Sequence, residues 1–477
     1  MKSIRTLLPL ALAACSLARG QMTKQDVLAK IEASKPTYNQ IALDIWSYAE
    51  VGYQEVKSTA RLQNQLRAEG FEVRSGIVGE PTAFIATYGS GHPIIAIVGE
   101  FDALPGLSQE AGNPEHHSLG ARAGHGCGHN TFGTGSAMAA AAIKAWMEST
   151  GQKGTLRFYG CPAEEGGSGK VYMVRAGLFD DCDAVLHWHP GDRNDADPES
   201  NLANMSAKFR FTGTQGVAST PSARSALKGI QVMDLAVNVM KDQMPYETVV
   251  QAVVTHGGEA PNVAPGFAES FYYSRNHNRK AMQQVFNMLA DASHGAAIAT
   301  GTKTTYEVIH GNFELLPNDT MSRVIYANMV SVGGFSYTPE ETAFANKLRE
   351  TLFSQDHLPP LDSTEKIKPY DPDPAPGTFS TDVGDVSWAA PTAGLRTAVV
   401  VPGVSLHSWQ AAACTGISIG LKGMLLASKT LALSAVDFYT HPETLVKAKA
   451  EWEQRRGPNF VYKPLIGNRQ PPLDYRN

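Results

Sequence analysis

The stretch PIIAIVGEFDALPG, at positions 93–106, constrains the fold more than any other part of the chain. Its apolar run lacks the alternation of a strand with one wet face, which indicates a strand buried on both faces of a sheet. Asp102 follows this run, at the C-terminal end of the strand, where open α/β sheets bind their ligands. Further strands alternate with helical stretches up to about residue 205. This alternation predicts an α/β fold with a mainly parallel sheet flanked by helices.

The pattern of secondary structure changes after about residue 205. Between 206 and 315 the order strand–helix–strand–strand–helix–strand predicts a small α+β domain with an antiparallel, ferredoxin-like sheet. Helical periodicity then returns, and a chain of 477 residues is long enough for two or three domains. We therefore expect a main domain made of residues 21–205 and 316–477, interrupted by an inserted domain at 206–315.

The N-terminal segment 1–20 has the layout of a secretory signal peptide. A basic start precedes an apolar run that is too short to span a bilayer, and the small residues Ala18 and Gly20 suit a cleavage site. We expect an exported protein, either periplasmic or secreted, with no membrane span in its mature part. The residues before Cys15 also resemble the lipobox of bacterial lipoproteins, so a lipid anchor at Cys15 is a second interpretation.

The segment GHGCGHN, at positions 124–130, needs a local explanation for its cysteine. The chain has five widely spaced cysteines, which do not suggest a disulfide framework. Cys127 stands between His125 and His129 at alternate positions, and thiolate and imidazole are ligands that suit zinc and similar metals. Two other interpretations stay open at this point. The side chains could simply pack at a helix start, or Cys127 could form a nucleophilic Cys–His pair.

Further candidate ligands follow predicted strands. Glu164 and Glu165 are adjacent acids at the end of an apolar strand, where burying both is costly unless a cation compensates. His187 and His189 lie at the exit of another strand, and His407 lies in a glycine-flanked loop. Each feature alone has an ordinary structural explanation. Together, thiolate, carboxylate and imidazole groups after several strands are what two adjacent metal ions require.

Six motifs in this order resemble the aminoacylase/carboxypeptidase class of two-metal metallopeptidases, and within it the aminobenzoyl-glutamate hydrolase B subunits and related N-acyl-amino-acid amidohydrolases. The resemblance covers about residues 25 to 460, and the motifs are GEFDALPG, GHGCGHN, PAEEGGSGK, WHPG, STDVGDVSW and LHSWQ. It implies a two-metal, exopeptidase-like catalytic domain interrupted by a small lid domain that dimerises. Residues 206–315 would be that lid, and the protein would be a homodimer.

The resemblance also assigns roles to the candidate residues. Glu164 matches the general base, and Asp102 matches the acid that orients a ligand. The resemblance implies two divalent ions per subunit, zinc or manganese. It does not distinguish these metals from cobalt. His125 would lie just outside the metal ligands. The positions that match metal ligands are Cys127, His129, Glu165, His189 and His407.

The resemblance also assigns substrate contacts to the lid, but one residue expected there is missing. Asn262 and Arg275 match residues that contact the oxyanion or the substrate carboxylate across the dimer in relatives, and the Arg275 fork suits a carboxylate. Val217 stands where relatives carry a lid histidine, and His256 is a candidate substitute. This departure bears on the acyl specificity.

The expected partner is a small N-acyl or aminobenzoyl amino acid, or a peptide-like substrate, with a free carboxylate. A net charge of −5 and the lack of a basic stretch argue against nucleic acid. Two alternatives remain. One is a dipeptidase or aminopeptidase of the same class, and the other is a binding protein that kept the fold and lost turnover.

Overall fold

The structure is a computed structural model that describes residues 21–476. The segment 1–20, with the expected signal peptide and Cys15, lies outside the described residues, as does Asn477.

Twelve α-helices and fourteen strands are found among residues 21–476. The helices are α1 (Lys24–Tyr48), α2 (Val56–Ala68), α3 (His129–Thr150), α4 (Gly169–Arg175), α5 (Ala226–Met240), α6 (Arg279–Thr300), α7 (Asp319–Val332), α8 (Pro339–Arg349), α9 (Val383–Ala389), α10 (Trp409–Thr415), α11 (Ser418–Thr440) and α12 (Pro442–Arg456). The strands are β1 (Glu72–Ser75), β2 (Phe84–Ser90), β3 (Ile94–Glu100), β4 (Leu104–Pro105), β5 (Ala123–Gly124), β6 (Gly154–Cys161), β7 (Ala184–Gly191), β8 (Ala203–Thr212), β9 (Gly216–Val217), β10 (Val249–His256), β11 (Val263–Ala264), β12 (Phe267–Asn276), β13 (Lys303–Asn312) and β14 (Thr392–Ala398).

The larger sheet has six strands in the order β1-β2-β6-β3-β7-β14. The four strands β6, β3, β7 and β14 run parallel, while β1 and β2 are antiparallel additions at one edge. Every residue of β3 is buried, as expected for a central strand covered on both faces. The predicted α/β fold with a mainly parallel sheet is therefore confirmed.

Helices α1, α3 and α11 share one continuous apolar core with this sheet. By length and composition alone, α11 could cross a bilayer, but 78% of its apolar window is buried inside the protein. A core helix satisfies the same test, so α11 is weak support for a membrane span.

The smaller sheet has four antiparallel strands in the order β10-β12-β8-β13. Helices α5 and α6 pack against it around a separate core that includes Phe209 and Phe286. Its four sheet strands and two α-helices follow one another as β8-α5-β10-β12-α6-β13, the order expected from the sequence, and the short strands β9 and β11 are additional to it. We call this unit, from β8 to β13, the lid module.

Candidate metal centre and substrate cleft

The candidate residues meet at one edge of the larger sheet. Strand β3 ends at Glu100, two residues before Asp102, and β6 ends three residues before Glu164. His189 lies near the end of β7, the strand that pairs with β3 on its other side. Because parallel strands bring their carboxyl ends to one edge, residues far apart in sequence come together there.

A glycine places the Cys/His segment against this edge. Gly128 caps the start of α3 with φ of 79°, a left-handed conformation that favours glycine. A Cβ atom at Gly128 would lie 2.9 Å from the Cβ of Pro190. Only glycine therefore lets the residues on either side, Cys127 and His129, approach the strand that carries His189 so closely.

One group of potential metal ligands consists of Cys127, His129 and His189. The ligand atoms of the group lie within 4.8 Å of one another, and Cys127 Sγ is 3.7 Å from His189 Nε2. His189 Nδ1 donates to the carbonyl of Pro190 at 2.8 Å. This hydrogen bond leaves the Nε2 lone pair facing the thiol, which is the arrangement of a metal-binding histidine.

A second group shares the same cysteine and consists of Cys127, Glu165 and His407. His407 Nε2 lies 3.3 Å from Glu165 Oε1. His407 has φ of 60°, and its backbone N–H donates to the carbonyl of Gly126 at 2.9 Å. A non-glycine residue held in the left-handed region is often found at a functional site, and here it turns the ring toward Glu165.

Asp102 connects the two groups. One carboxylate oxygen lies 2.8 Å from His129 Nδ1, and the other accepts the backbone N–H of Glu165 at 2.8 Å. The side chains of Asp102 and His129 are both fully buried. Asp102 thus orients the His129 ring and the Glu165 backbone at the same time, and it holds His129 with Nε2 directed into the site.

A buried ion network, which the sequence did not predict, lies behind the site. Glu100 Oε2 lies 3.1 Å from His129 Nε2, and Lys170 Nζ lies 2.5 Å from the other oxygen of Glu100. Lys170 Nζ also contacts Asp382 at 2.6 Å, and its backbone N–H donates to the second oxygen of Asp382. Glu100 could not be singled out from the sequence because it stands as the last residue of an apolar strand.

The adjacent acids differ in their electrostatic surroundings. Burial, followed by the charges of Glu100 and Glu165, raises the pKa of Glu164 well above its usual range. Burial would also raise the pKa of Glu165, but the charge of His407 outweighs it and the pKa lies at about 2. Glu165 is therefore an anion in the second group, whereas Glu164 lies with Glu100 and His129 in a third cluster. Two residues that look identical in sequence are thus chemically distinct.

The pKa values of the Cys127 thiol and of the exposed His407 are shifted in opposite directions. Burial opposes ionisation of Cys127, but the charge of His129 outweighs it and lowers the pKa of Cys127 to about 5. The Glu165 carboxylate raises the pKa of His407 to about 11. Cys127 is therefore a thiolate at neutral pH, the form in which cysteine binds metals.

The residues present fit divalent metal ions. His129 Nε2 and Glu165 Oε1 are buried beside other charged side chains, Glu100 at 3.1 Å and His407 at 3.3 Å. Packing carboxylates, imidazoles and a thiolate so closely is costly unless a cation compensates their charge. Both ligand groups share the Cys127 thiolate, so two ions held there would have a common ligand.

A cleft of about 1300 Å³ opens from these groups and lies between the larger sheet and the lid module. Cys127, Glu164 and His407 line one side of it, and Arg275 and Tyr273 from β12 line the other. Burial lowers the pKa of Arg275, and its Nε has no hydrogen-bond partner among residues 21–476. The cleft is therefore wide enough for a small molecule and carries a guanidinium opposite the metal ligands.

The other lid candidates do not line the cleft of the same chain. His256 lies on β10 with a largely exposed side chain, 3.8 Å from Glu269. Asn262 is an exposed loop residue whose carbonyl accepts the N–H of Ala218 at 3.0 Å. Val217, on the short strand β9, is also exposed. All three are therefore exposed positions outside the cleft lining.

The other two histidines of the motifs lie outside the ligand groups. His125 Nε2 is 3.0 Å from the carbonyl of Ile45, and burial lowers the pKa of His125 to about 3. Burial likewise lowers the pKa of His187 to about 3. Both rings are therefore neutral packing residues.

The C-terminal segment, from Arg455 onward, also reaches the site. Its polar, proline-rich composition predicts only that it covers part of the surface. The carbonyl of Glu165 accepts hydrogen bonds from Arg476 Nη2 at 2.5 Å and from Tyr475 Oη at 3.1 Å. Arg122 Nη2 donates to the carbonyl of Arg476 at 2.6 Å, and Tyr475 packs edge-on against Tyr53. Arg476 lines the cleft. Nothing in the polar, proline-rich tail signalled this position.

Comparison with known proteins shows the family. The family described as Peptidase family M20/M25/M40 matches residues 96–300. The chain is 36% identical over 466 residues to the B subunit of p-aminobenzoyl-glutamate hydrolase from Escherichia coli K12, a match that covers 92% of this chain and 97% of that protein.

Solved structures show the same fold at low identity. The aminobenzoyl-glutamate utilization protein of Klebsiella pneumoniae superimposes with a TM-score of 0.61 at 16% identity, covering 87% of this chain and 99% of that one. A dinuclear metal-binding peptidase of Bacillus subtilis gives a TM-score of 0.55 at 17% identity, covering 86% of this chain and 99% of that one.

The fold and the site together define a hydrolase of the metallopeptidase type, acting on amide or peptide bonds. The chain belongs to Peptidase family M20/M25/M40.

Proposed function

We propose that this protein is an exported, metal-dependent amidohydrolase that cleaves the amide bond of N-acyl or aminobenzoyl amino acids. The observation that carries the proposal is the pair of ligand groups sharing Cys127, with Glu164 beside them and Arg275 across the cleft. The Escherichia coli relative is named for p-aminobenzoyl-glutamate, a substrate of this class.

The ions would be two zinc or manganese ions per subunit, held by five side chains. When bound, such ions lower the pKa of water and polarise a carbonyl oxygen. Their charge also offsets the repulsion that raises the pKa of Glu164. The ligands in this proposal are Cys127, His129, Glu165, His189 and His407.

Glu164 is the general base in this mechanism. Its carboxylate takes a proton from the water that attacks the amide carbon, and it returns a proton to the nitrogen as the C–N bond breaks. His129 keeps its orientation because Asp102 holds Nδ1 at 2.8 Å. Arg275 binds the carboxylate of the amino-acid half, because a guanidinium fork matches a carboxylate.

The direct test is hydrolysis by the purified protein after loading with zinc or manganese. We expect release of p-aminobenzoate from p-aminobenzoyl-glutamate, or of the free acid from other N-acyl amino acids, and no release after chelation. Cys127→Ser should reduce the content of both ions, because a hydroxyl is a poor ligand at neutral pH and the thiolate belongs to both groups. Cys161→Ser is a matched control, since Cys161 is buried outside the groups.

A set of outcomes would contradict the proposal. Turnover of unblocked dipeptides but of no N-acyl amino acid would favour a dipeptidase. Full activity in protein shown to be free of metal would exclude metal-dependent hydrolysis. Retained metal in Cys127→Ser, with activity lost only to thiol-reactive reagents, would favour a nucleophilic cysteine.

We also propose that two copies dimerise through the lid module. Strand β10 lies at the edge of its sheet and exposes Val253 and Val254, and α5 exposes Leu235 and Val239 beside it. An apolar sheet edge of this kind is suited to pairing with a second copy. Light scattering should give a dimer for the parent and a monomer for Val253→Lys; a monomeric parent would contradict the proposal.

Export would be tested by locating the full-length chain in cell fractions.

A further inference from the structure

Two arginines in the cleft differ from the other cations that line it. Arg193, Arg396 and Lys368 each lie within 3 Å of an acidic side chain and are neutralised by it. Among residues 21–476, no carboxylate forms an ion pair with Arg275 or with Arg476. A guanidinium that is partly removed from water without an anion is a binding site for one.

The position of Arg476 is fixed by the segment that carries it. Ile466, earlier in the segment, is buried, and Arg122 holds the carbonyl of Arg476 at 2.6 Å. One N–H group of Arg476 is held by the Glu165 carbonyl at 2.5 Å. The guanidinium is therefore anchored beside the second ligand group instead of being free in solvent.

Arg476, Arg275 and Tyr273 all line the same cleft. A Cβ atom built on Gly166 would lie 3.5 Å from Arg476 Nη2 and 3.5 Å from Tyr273 Oη. The Arg275 guanidinium carbon is 5.4 Å from the centre of the Tyr273 ring. Both guanidinium groups therefore belong to one cleft and lie near the same tyrosine.

We propose that Arg476 is a specificity-determining residue that binds a second carboxylate of the substrate. The inference rests on the proposed function, in which Arg275 binds the α-carboxylate. The preferred substrates are then N-acylated acidic amino acids, in which the side-chain carboxylate reaches Arg476. A neutral amide in place of that carboxylate leaves the guanidinium without its anion and binds less well.

The test compares an N-acyl-glutamate with the matching N-acyl-glutamine on metal-loaded protein. The parent should prefer the glutamate substrate in kcat/KM by ~10- to 100-fold, the size of one charged hydrogen-bonded contact. Arg476→Ala and Arg476→Gln should lose that preference through a higher KM for the glutamate substrate, with a smaller change on the glutamine substrate; metal content measured on each variant separates this loss from an effect through the Glu165 carbonyl. Arg193→Ala, which removes a cleft arginine already paired with Asp195, should keep the preference.

Equal losses on both substrates in the Arg476 variants, or a parent without preference, would overturn the inference. Calorimetric binding of free glutamate and glutamine separates this result from failure of the proposed function. If the parent hydrolyses no N-acyl amino acid but binds glutamate more tightly, in an Arg476-dependent way, the amidohydrolase proposal fails and the carboxylate site stands. If hydrolysis occurs and glutamate binds no more tightly than glutamine, the carboxylate site fails and the amidohydrolase proposal stands.

Discussion

The carboxylate of Asp102 lies 2.8 Å from His129 Nδ1 and, through its other oxygen, 2.8 Å from the backbone nitrogen of Glu165. Two donors from different segments therefore meet on one fully buried anion. The relationship fixes the orientation of the His129 ring, since Nδ1 donates its proton to Asp102 and Nε2 faces Glu100.

Asp102→Asn should weaken metal binding. His129 and Glu165 donate to different oxygens of Asp102, and an amide keeps only one of those oxygens, so one donor loses its acceptor. We expect metal affinity to fall by ~10- to 100-fold, the usual effect of losing the partner of a ligating histidine. Competition with a chromophoric chelator measures the affinity. Asp371→Asn, on the rim of the same cleft, is the control, and an equal decrease in that variant would refute the assignment.

Glu164→Gln and Glu165→Gln should have different consequences. The first change removes the proton acceptor, so metal should remain while turnover falls by at least ~10²-fold. The second removes the anion facing His407, so metal content should fall first and activity with it. Metal analysis and turnover are measured side by side on both variants. Loss of metal in Glu164→Gln with metal retained in Glu165→Gln would exchange the roles of base and ligand. No effect in either variant would exclude both roles.

Lys170→Met should destabilise the fold. Lys170 is fully buried between Glu100 and Asp382, and its loss leaves two buried carboxylates without a cation. Breaking a buried ion pair in this way costs about 3–5 kcal/mol. Denaturant unfolding gives the free energy of unfolding. The control is Lys366→Met, which removes an exposed pair with Asp362 and should cost less than about 1 kcal/mol. Similar losses in the two variants would argue against the network.

Asp385 should make stability depend on pH. Burial raises the pKa of Asp385 from 3.8 to about 7, although its carboxylate accepts hydrogen bonds from Tyr462 and from the backbone of Phe313. Between these two values the folded protein keeps a proton that the unfolded chain releases. The free energy of unfolding contributed by this group is therefore complete below pH 3.8 and falls as pH rises toward 7.

Asp385→Asn should remove this contribution. The slope of the free energy of unfolding against pH should become flatter by up to about 1.4 kcal/mol per pH unit in that window. Denaturant unfolding of parent and variant at several pH values measures it. Parallel curves would show that Asp385 is ionised in the folded protein.

The parallel sheet could be predicted because burial on both faces leaves a direct mark on sequence. The run from Pro93 to Gly99 is apolar throughout, and all of β3 is buried. Cys127 and His129 could be singled out because the glycines around them provide no side chains for them to pack against. These residues lie close to Glu165 because of the order of the strands in the sheet. Sequence motifs can suggest that order, but only the tertiary structure shows it.

Other parts of the site left no local signal. Glu100 and Lys170 were missed because each is one charged residue within an ordinary strand or helix, and only packing reveals them as partners. Arg476 was missed because its role depends on where a loop-rich tail crosses the surface. Asn262 and His256 were expected to contact substrate bound to a second chain. Within one chain, neither residue lines the cleft.

The C-terminal segment also bears on motion. Arg469 donates to the Ile309 carbonyl of β13 at 2.7 Å, and its own carbonyl accepts from Arg175 of α4 at 2.7 Å. These bonds tie the lid module to the helix that follows the glutamate pair. A hinge rotation that widened the cleft would have to break them or carry the segment along, and Arg476 with it. A rotation that kept the Arg469–Ile309 bond would therefore pull Arg476 away from the Glu165 carbonyl.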